Sequence, residues 1–193
     1  MTTDPTPHLF WITSRAAGTA ALVLASVGVL LGLLMGTGLL RGRGLEARSA
    51  HEAVSLATLA AIAVHGLALL GDGFIGLGPV DIAVPFASGY HRFWTGAGIV
   101  AGWSLALLGL SYYARARIGQ ARWRRLHRFT ALAWVLGIVH AIGEGTDSGQ
   151  AWFLAMIGIV TVPAALLLVW RLAGSPRPGT ARKGRAPAAA GLG

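Results

Sequence analysis

Five times along its 193 residues the chain runs, nearly free of charge, for about the 20 residues a helix needs to cross the ~30 Å hydrocarbon core of a bilayer. The runs fall at about 16–40, 51–71, 93–114, 127–144 and 150–171. The fourth is the shortest and carries histidine near both ends. Its apolar middle, Ala131 to Val139, still reads as a span rather than a surface helix. A water-facing domain cannot hide so much apolar chain: 54% of residues are hydrophobic and only 12% are charged. The pattern predicts an all-α fold, a polytopic membrane helical bundle of about five transmembrane helices with lipid as its main partner. Many of its 28 glycines sit inside the runs, where small residues let membrane helices approach closely. Periods of repeat-protein type are absent.

Charge sets the expected direction. Arg41, Arg43 and Arg48 follow the first run, Arg115, Arg117, Arg122, Arg124, Arg125 and Arg128 follow the third, and Arg171, Arg177, Arg182, Lys183 and Arg185 follow the fifth. The other side has Arg15 and Arg92 alone, and it collects Asp4, Asp72, Asp81, Glu144 and Asp147. By the positive-inside rule the arginine-rich loops face the cytoplasm, so the N-terminus is expected outside and the C-terminus inside, at a cell membrane crossed many times. An even number of spans cannot satisfy this distribution. The net charge of +9 lies between apolar runs rather than on one face, which argues against nucleic acid as a partner.

Residues Met1 to His8 lack the basic start of a cleavable signal, and the first run is too long for one, so it reads as a retained span. The segment from Gly71 to Gly89 is too broken by Gly and Pro to cross, and is expected to rest in the interface or cap the bundle. Residues 1–173 read as one transmembrane domain. Residues 174–193, rich in Pro, Gly, Ala and Arg, read as a disordered basic tail drawn to anionic headgroups on the cytoplasmic side.

No cysteine is present, which removes disulfides, thiol catalysis, cysteine-held iron–sulfur clusters and covalent c-type haem. Any redox centre rests on histidine. His51 and His65 lie on span two, 14 residues apart, and His127 and His140 lie on span four, 13 apart. Each separation is roughly 20 Å along a helix. Spans two and four run in the same direction, so His51 is expected to meet His127 near the inner face and His65 to meet His140 near the outer face. Two opposed imidazole pairs suit two bis-histidine b-type haems, each with both axial positions filled for electron transfer. Structural hydrogen bonding, zinc, or a proton relay are the other uses of intramembrane histidine, although zinc wants its ligands around one point.

One detail resists this picture. At about 100° per residue, 14 residues bring His65 back within roughly 40° of His51, whereas 13 leave His140 roughly 140° from His127. Either the helix is locally over- or underwound, or His127 reaches round from a fraying end.

Haem propionates need cationic partners. Near the inner site these are Arg48, Arg124, Arg125 and Arg128; near the outer site they are Arg15 and Arg92. His91, beside Arg92, reads as an interfacial anchor or a propionate contact, and His8 as solvated. Trp11, Trp94, Trp123, Trp152 and Trp170 fall near span ends like an aromatic belt, with electron transfer as the alternative use.

The histidine pairs, with ITSRAAG opening span one, VDIAVPFASGYHRFW before span three and ARWRRLHRFTALAWVLGIVHAIGEGTD through span four, resemble the ferric reductase-like transmembrane domain family. That family includes the membrane domains of ferric reductases and NADPH oxidases and the haem-binding membrane subunit of the bacterial methionine sulfoxide reductase system. The resemblance covers roughly residues 10–171 and is to its compact bacterial members. It implies haem b ligated by His51, His65, His127 and His140, with electrons passing from the cytoplasm outward. Five spans stand where the family commonly has six. The chain carries no G-x-G-x-x-G and ends about 20 residues past its last span, so the donor is expected to be a separate reductase, a quinol or a reduced flavin, any flavin being held by a partner. The expected function is that of a membrane subunit of a reductase. The alternatives are a stand-alone ferric-chelate reductase, with the outer acids as an iron-attracting rim, and a haem-free scaffold or small transporter.

Overall fold

The computed structural model describes residues 8–73, 75–145 and 147–174. Every regular element among them is helical: α1 Leu9–Thr37, α2 Gly44–Leu70, α3 Pro79–Ala83, α4 Arg92–Leu110, α5 Arg115–Ile118, α6 Gln120–His127, α7 Thr130–Glu144 and α8 Ala151–Leu172, with a short 3-10 turn at Arg41–Arg43. Taking α6 and α7 together, five helices among the described residues are long and apolar enough to cross a membrane. The expected five-span bundle is therefore what the chain forms. The basic tail expected at 174–193 lies, beyond Gly174, outside the described residues.

The helices run further than the apolar runs that announced them. α1 begins at Leu9 rather than near 16, and α2 at Gly44 rather than 51. Hydropathy detects only the oil-facing middle, whereas hydrogen bonding carries a helix on through the ~40–45 Å that includes the headgroups. α1 ends where Gly38 takes a left-handed φ of 80°, with backbone N–H groups of Gly38 and Leu39 returning to the Met35 and Leu34 carbonyls.

α1 is the hub. It packs along α2 on one side and on α8 and α7 on the others, while α4 packs along α7. The result is two antiparallel hairpins, α1–α2 and α4–α7, with α8 closing the far side of α1. Between α1, α7 and α8 lies a small buried core of Leu22, Phe153 and Ile157, flanked by Ile138, Ala141 and Met156. Beside it Trp134, 2% exposed, donates its indole N–H to Ser26 Oγ at 3.0 Å. Ser26 in turn donates to the Leu22 carbonyl at 2.8 Å. A buried polar chain of this kind costs little only because every member is satisfied.

The described part of the segment between α2 and α4 folds back against both helices. α3 contacts both neighbours, and the Trp103 indole donates to the Ala83 carbonyl at 2.8 Å. Gly78 N–H donates to Asp81 Oδ2 at 2.9 Å and starts α3.

Two opposed histidine pairs

The two histidine-bearing helices, α2 and the α6–α7 unit, are not among the helix pairs that pack closely. Each lies instead against its own partner, α1 or α4, and the imidazoles reach across the space left between. His51 and His127 have ring centroids 6.2 Å apart with planes at 86°. His65 and His140 also stand 6.2 Å apart, at 67°. The expected pairing by depth is the one observed.

A break in span four removes about half of the azimuth mismatch. Arg128 and Phe129 interrupt the helix, and there the Phe129 N–H reaches the Leu126 carbonyl at 2.9 Å and the Ala131 N–H the Arg128 carbonyl at 3.3 Å. These three-residue bonds advance the chain by about 120° per residue rather than 100°, so three or four tightened residues recover roughly 60–80°. Overwinding is thus the alternative that applies. Thr130 Oγ1 donates to the His127 carbonyl at 2.7 Å and satisfies an acceptor that the break would orphan.

Each imidazole is aimed by a backbone carbonyl on its hairpin partner. His65 Nδ1 lies 2.8 Å from the Ser14 carbonyl, His51 Nδ1 3.0 Å from that of Gly28, and His140 Nδ1 2.9 Å from that of Trp94. In all three the residue four positions further along the partner helix is glycine: Gly18, Gly32 and Gly98. On a helix the side chain at i+4 lies over the carbonyl of residue i, so an imidazole reaches that oxygen only if the side chain is missing. A Cβ on Gly98 would lie 2.5 Å from His140 Nδ1, one on Gly18 2.9 Å from His65 Nδ1, and one on Gly32 3.3 Å from His51 Cε1. Carbonyl and glycine form a socket for the ring. Nδ1–H donating to the carbonyl selects the tautomer whose Nε2 keeps a free lone pair. Among the described residues no protein group takes up Nε2 of any of the four histidines.

The fourth socket is built differently. Fourteen residues beyond Trp94 and Gly98 stand Leu108, at the end of α4, and Tyr112, in the turn that follows it. The Leu108 carbonyl accepts Ser111 Oγ at 2.6 Å and also faces His127, whose Nδ1 makes no hydrogen bond of ordinary geometry to it. His127 is held instead by stacking on Trp123, with centroids 5.1 Å apart and planes at 26°. The Trp123 indole N–H is itself buried and unpartnered. That is not how a belt tryptophan sits, since such a ring turns its N–H to the headgroups.

The arginines named from sequence are placed differently from one another. Arg15 forks onto the Asp147 carboxylate in the α7–α8 connection and stacks over the Trp11 ring at 4.9 Å. Its charge is already matched. Arg92 donates Nε to the Phe86 carbonyl at 2.8 Å, beside the outer mouth of α4. Arg128 stands exposed in the break next to His127, with no protein partner among the described residues. His91 lies stacked on Tyr90 at 4.4 Å, and its Nδ1 lies 3.3 Å from Glu144 Oε2. Burial, then the carboxylates of Glu144 and Asp72, push the Tyr90 phenol above its ordinary range. The outer acids do not form an open rim: Asp72 and Asp147 are each 7% exposed, Asp81 caps α3, and Glu144 faces His91.

The roles of Ser14, Gly18, Gly28, Gly32 and Gly98, and of the Trp94 carbonyl, escaped the sequence reading. A signal was there, because Gly18 and Gly32 are spaced by the same 14 residues as His51 and His65.

The residues fit haem better than zinc. An imidazole nitrogen sits about 2.0–2.1 Å from a bound metal and roughly 1.1 Å from its own ring centroid, so two axial imidazoles on one metal place their centroids about 6.3 Å apart. Both pairs match. No group of three or more His, Asp or Glu side chains converges on one point among the described residues, so each site offers zinc two protein ligands where it takes three or four. Comparison with protein-family models, with curated proteins and with solved structures finds no match to the chain.

Proposed function

We propose that this chain is a di-haem b transmembrane electron-transfer protein, the membrane subunit of a reductase that takes electrons from a cytoplasmic donor and delivers them to an acceptor outside. The observation that carries this reading is the repeated 6.2 Å spacing of two imidazole pairs whose Nε2 atoms no protein group claims. Haem held between such pairs supplies one-electron chemistry with no axial position left for substrate. Everything else here is the work of the protein. The carbonyl sockets set ring orientation and raise imidazole basicity. The apolar helices exclude water and raise the cost of charge between the pairs. Arg92 at one end, and Arg128 with Arg48, Arg124 and Arg125 at the other, are cations without a carboxylate partner among the described residues, whereas Arg15 would first have to leave Asp147. The direction, N-terminus outside and C-terminus cytoplasmic, rests on the arginine distribution.

The resemblance to the ferric reductase-like family supports the same reading through residues alone. A stand-alone ferric-chelate reductase fits less well, because the acids that would attract a chelate are buried or engaged. A haem-free scaffold or small transporter leaves the four free Nε2 atoms unexplained.

The test is an optical one. The detergent-purified chain, expressed with ample haem, is expected to show reduced-minus-oxidised b-type bands at about two haems per chain, falling to about one in His65→Ala or His140→Ala. A colourless protein would overturn the reading and favour the scaffold or transporter.

A further inference from the structure

Indole is a large apolar ring with a single polar atom, and a buried tryptophan normally gives its N–H an acceptor. Two tryptophans of this chain follow that rule. Trp134, inside the bundle, donates to Ser26 Oγ at 3.0 Å, and Trp103 donates to the Ala83 carbonyl at 2.8 Å. Trp123 departs from it: its Nε1 is buried, and no protein group among the described residues accepts from it. The ring has little room to turn toward one. His127 stacks on it with centroids 5.1 Å apart, Tyr112 meets it at 5.8 Å and 61°, and Arg115 lies over the Tyr112 ring at 3.8 Å. An N–H shut away from both water and protein forfeits a hydrogen bond outright, unless a bound molecule brings the acceptor.

The surroundings of the atom define that molecule. Trp123 stands one helical turn before His127 on α6, against the ring that faces His51. A b-type haem between those histidines has its pyrrole nitrogens on the iron, and its methyl and vinyl groups accept nothing. The acceptors on its rim are its carboxylates. α6 carries no acid, and Arg124, Arg125 and Arg128 stand exposed around Trp123, so the local field favours an anion. We propose that the Trp123 indole N–H is a carboxylate donor, holding one propionate of the haem at the His51–His127 site. This rests on the haem reading above. The buried indole fixes the direction of the bond, whereas the exposed guanidinium groups supply charge without a fixed geometry.

The test uses the full chain in detergent with His65→Ala as background, so that the His51–His127 site is the one left to hold haem. Trp123→Phe keeps a ring against His127 and deletes the N–H. Release of haem to excess apomyoglobin is expected to quicken by about 10-fold or more, as befits a lost bond to a charged acceptor, and the propionate bending band in the resonance Raman spectrum is expected to shift. Haem dimethyl ester, whose carboxylates are capped, removes the acceptor instead of the donor. The chain with Trp123 intact should release the ester faster than haem by at least the same factor, and Trp123→Phe should quicken ester release no further. An ester released no faster than haem overturns the proposal without any change at Trp123. Equal effects of Trp123→Phe on haem and ester, or an unmoved propionate band, would show that the ring acts by packing alone; the proposal then fails while the electron-transfer reading stands. A chain that binds no haem removes that reading, and this proposal falls with it.

Discussion

The pair away from the arginine-rich loops, His65 and His140, and the pair beside them, His51 and His127, have the same 6.2 Å spacing but are seated differently. At the first pair both rings sit on helix carbonyls over glycines, and Ser14 Oγ also lies 3.0 Å from His65 Nδ1. At the second His51 sits in the same way, whereas His127 faces the Leu108 carbonyl with no glycine beyond it and no Nδ1 hydrogen bond of ordinary geometry. Equal spacing with unequal support shows that spacing comes from how the hairpins stand apart, whereas orientation comes from individual carbonyl contacts. A hairpin can keep the first while losing the second. The two hairpins share one device, a histidine helix beside a helix whose carbonyls stand 14 residues apart, and in α4–α7 the second of them, Leu108, lacks the glycine.

The comparison is broken most directly by filling the sockets. Alanine at Gly98, Gly18 and Gly32 should weaken haem binding at the facing site in that order, because the added Cβ would meet the ring at 2.5, 2.9 and 3.3 Å. Losses of about 10- to 100-fold are expected for Gly98→Ala, read as the haem-to-protein ratio under limiting haem. The Gly32→Ala loss should be the smallest, and an order unrelated to these distances would remove the socket idea.

A smaller effect is expected from Trp134→Phe, which keeps the ring and deletes the bond to Ser26. Hydrogen bonds between membrane helices contribute about 0.6–2 kcal/mol, so thermal stability in detergent should fall modestly while both sites retain their haem. Selective loss of one haem would show that the α1–α7 contact supports that site in particular.

The smallest effect concerns the inner end alone. The Tyr113 hydroxyl donates to Glu52 Oε1 at 2.8 Å, tying the end of α4 to the residue beside His51. That bond, above all, holds the exposed phenol protonated and raises its pKa. A raised folded-state value means that the contact is present at neutral pH and is lost as pH rises beyond the ordinary phenol range, about 10. A slight alkaline fall in melting temperature is expected, absent in Tyr113→Phe, with the outer haem spectrum unchanged throughout.

Much of this fold was legible because its signals are local. Apolar length announces a span whatever the rest of the chain does. The histidine spacing translated into depth for the same reason, since rise per residue hardly varies. Azimuth does vary, and the 13-residue spacing between His127 and His140 exposed the limit: the remedy is an overwound break at Arg128 and Phe129 that no apolar pattern signals. The ion pair of Arg15 was hidden for the opposite reason. Its partner, Asp147, lies 132 residues away in a connection that reads as an ordinary outer loop.

By itself, then, the sequence determined five apolar helices, an arginine-rich end, and two levels of paired histidines, all properties of single segments in an oily solvent. Only the tertiary structure decided which carbonyl each imidazole meets, and that glycine stands four residues beyond it in three cases and Tyr112 in the fourth. The three contacts over glycine join residues 23 to 51 positions apart. They depend on the rotation of each helix about its own axis, which is set by packing against neighbours and not by the segment's own composition.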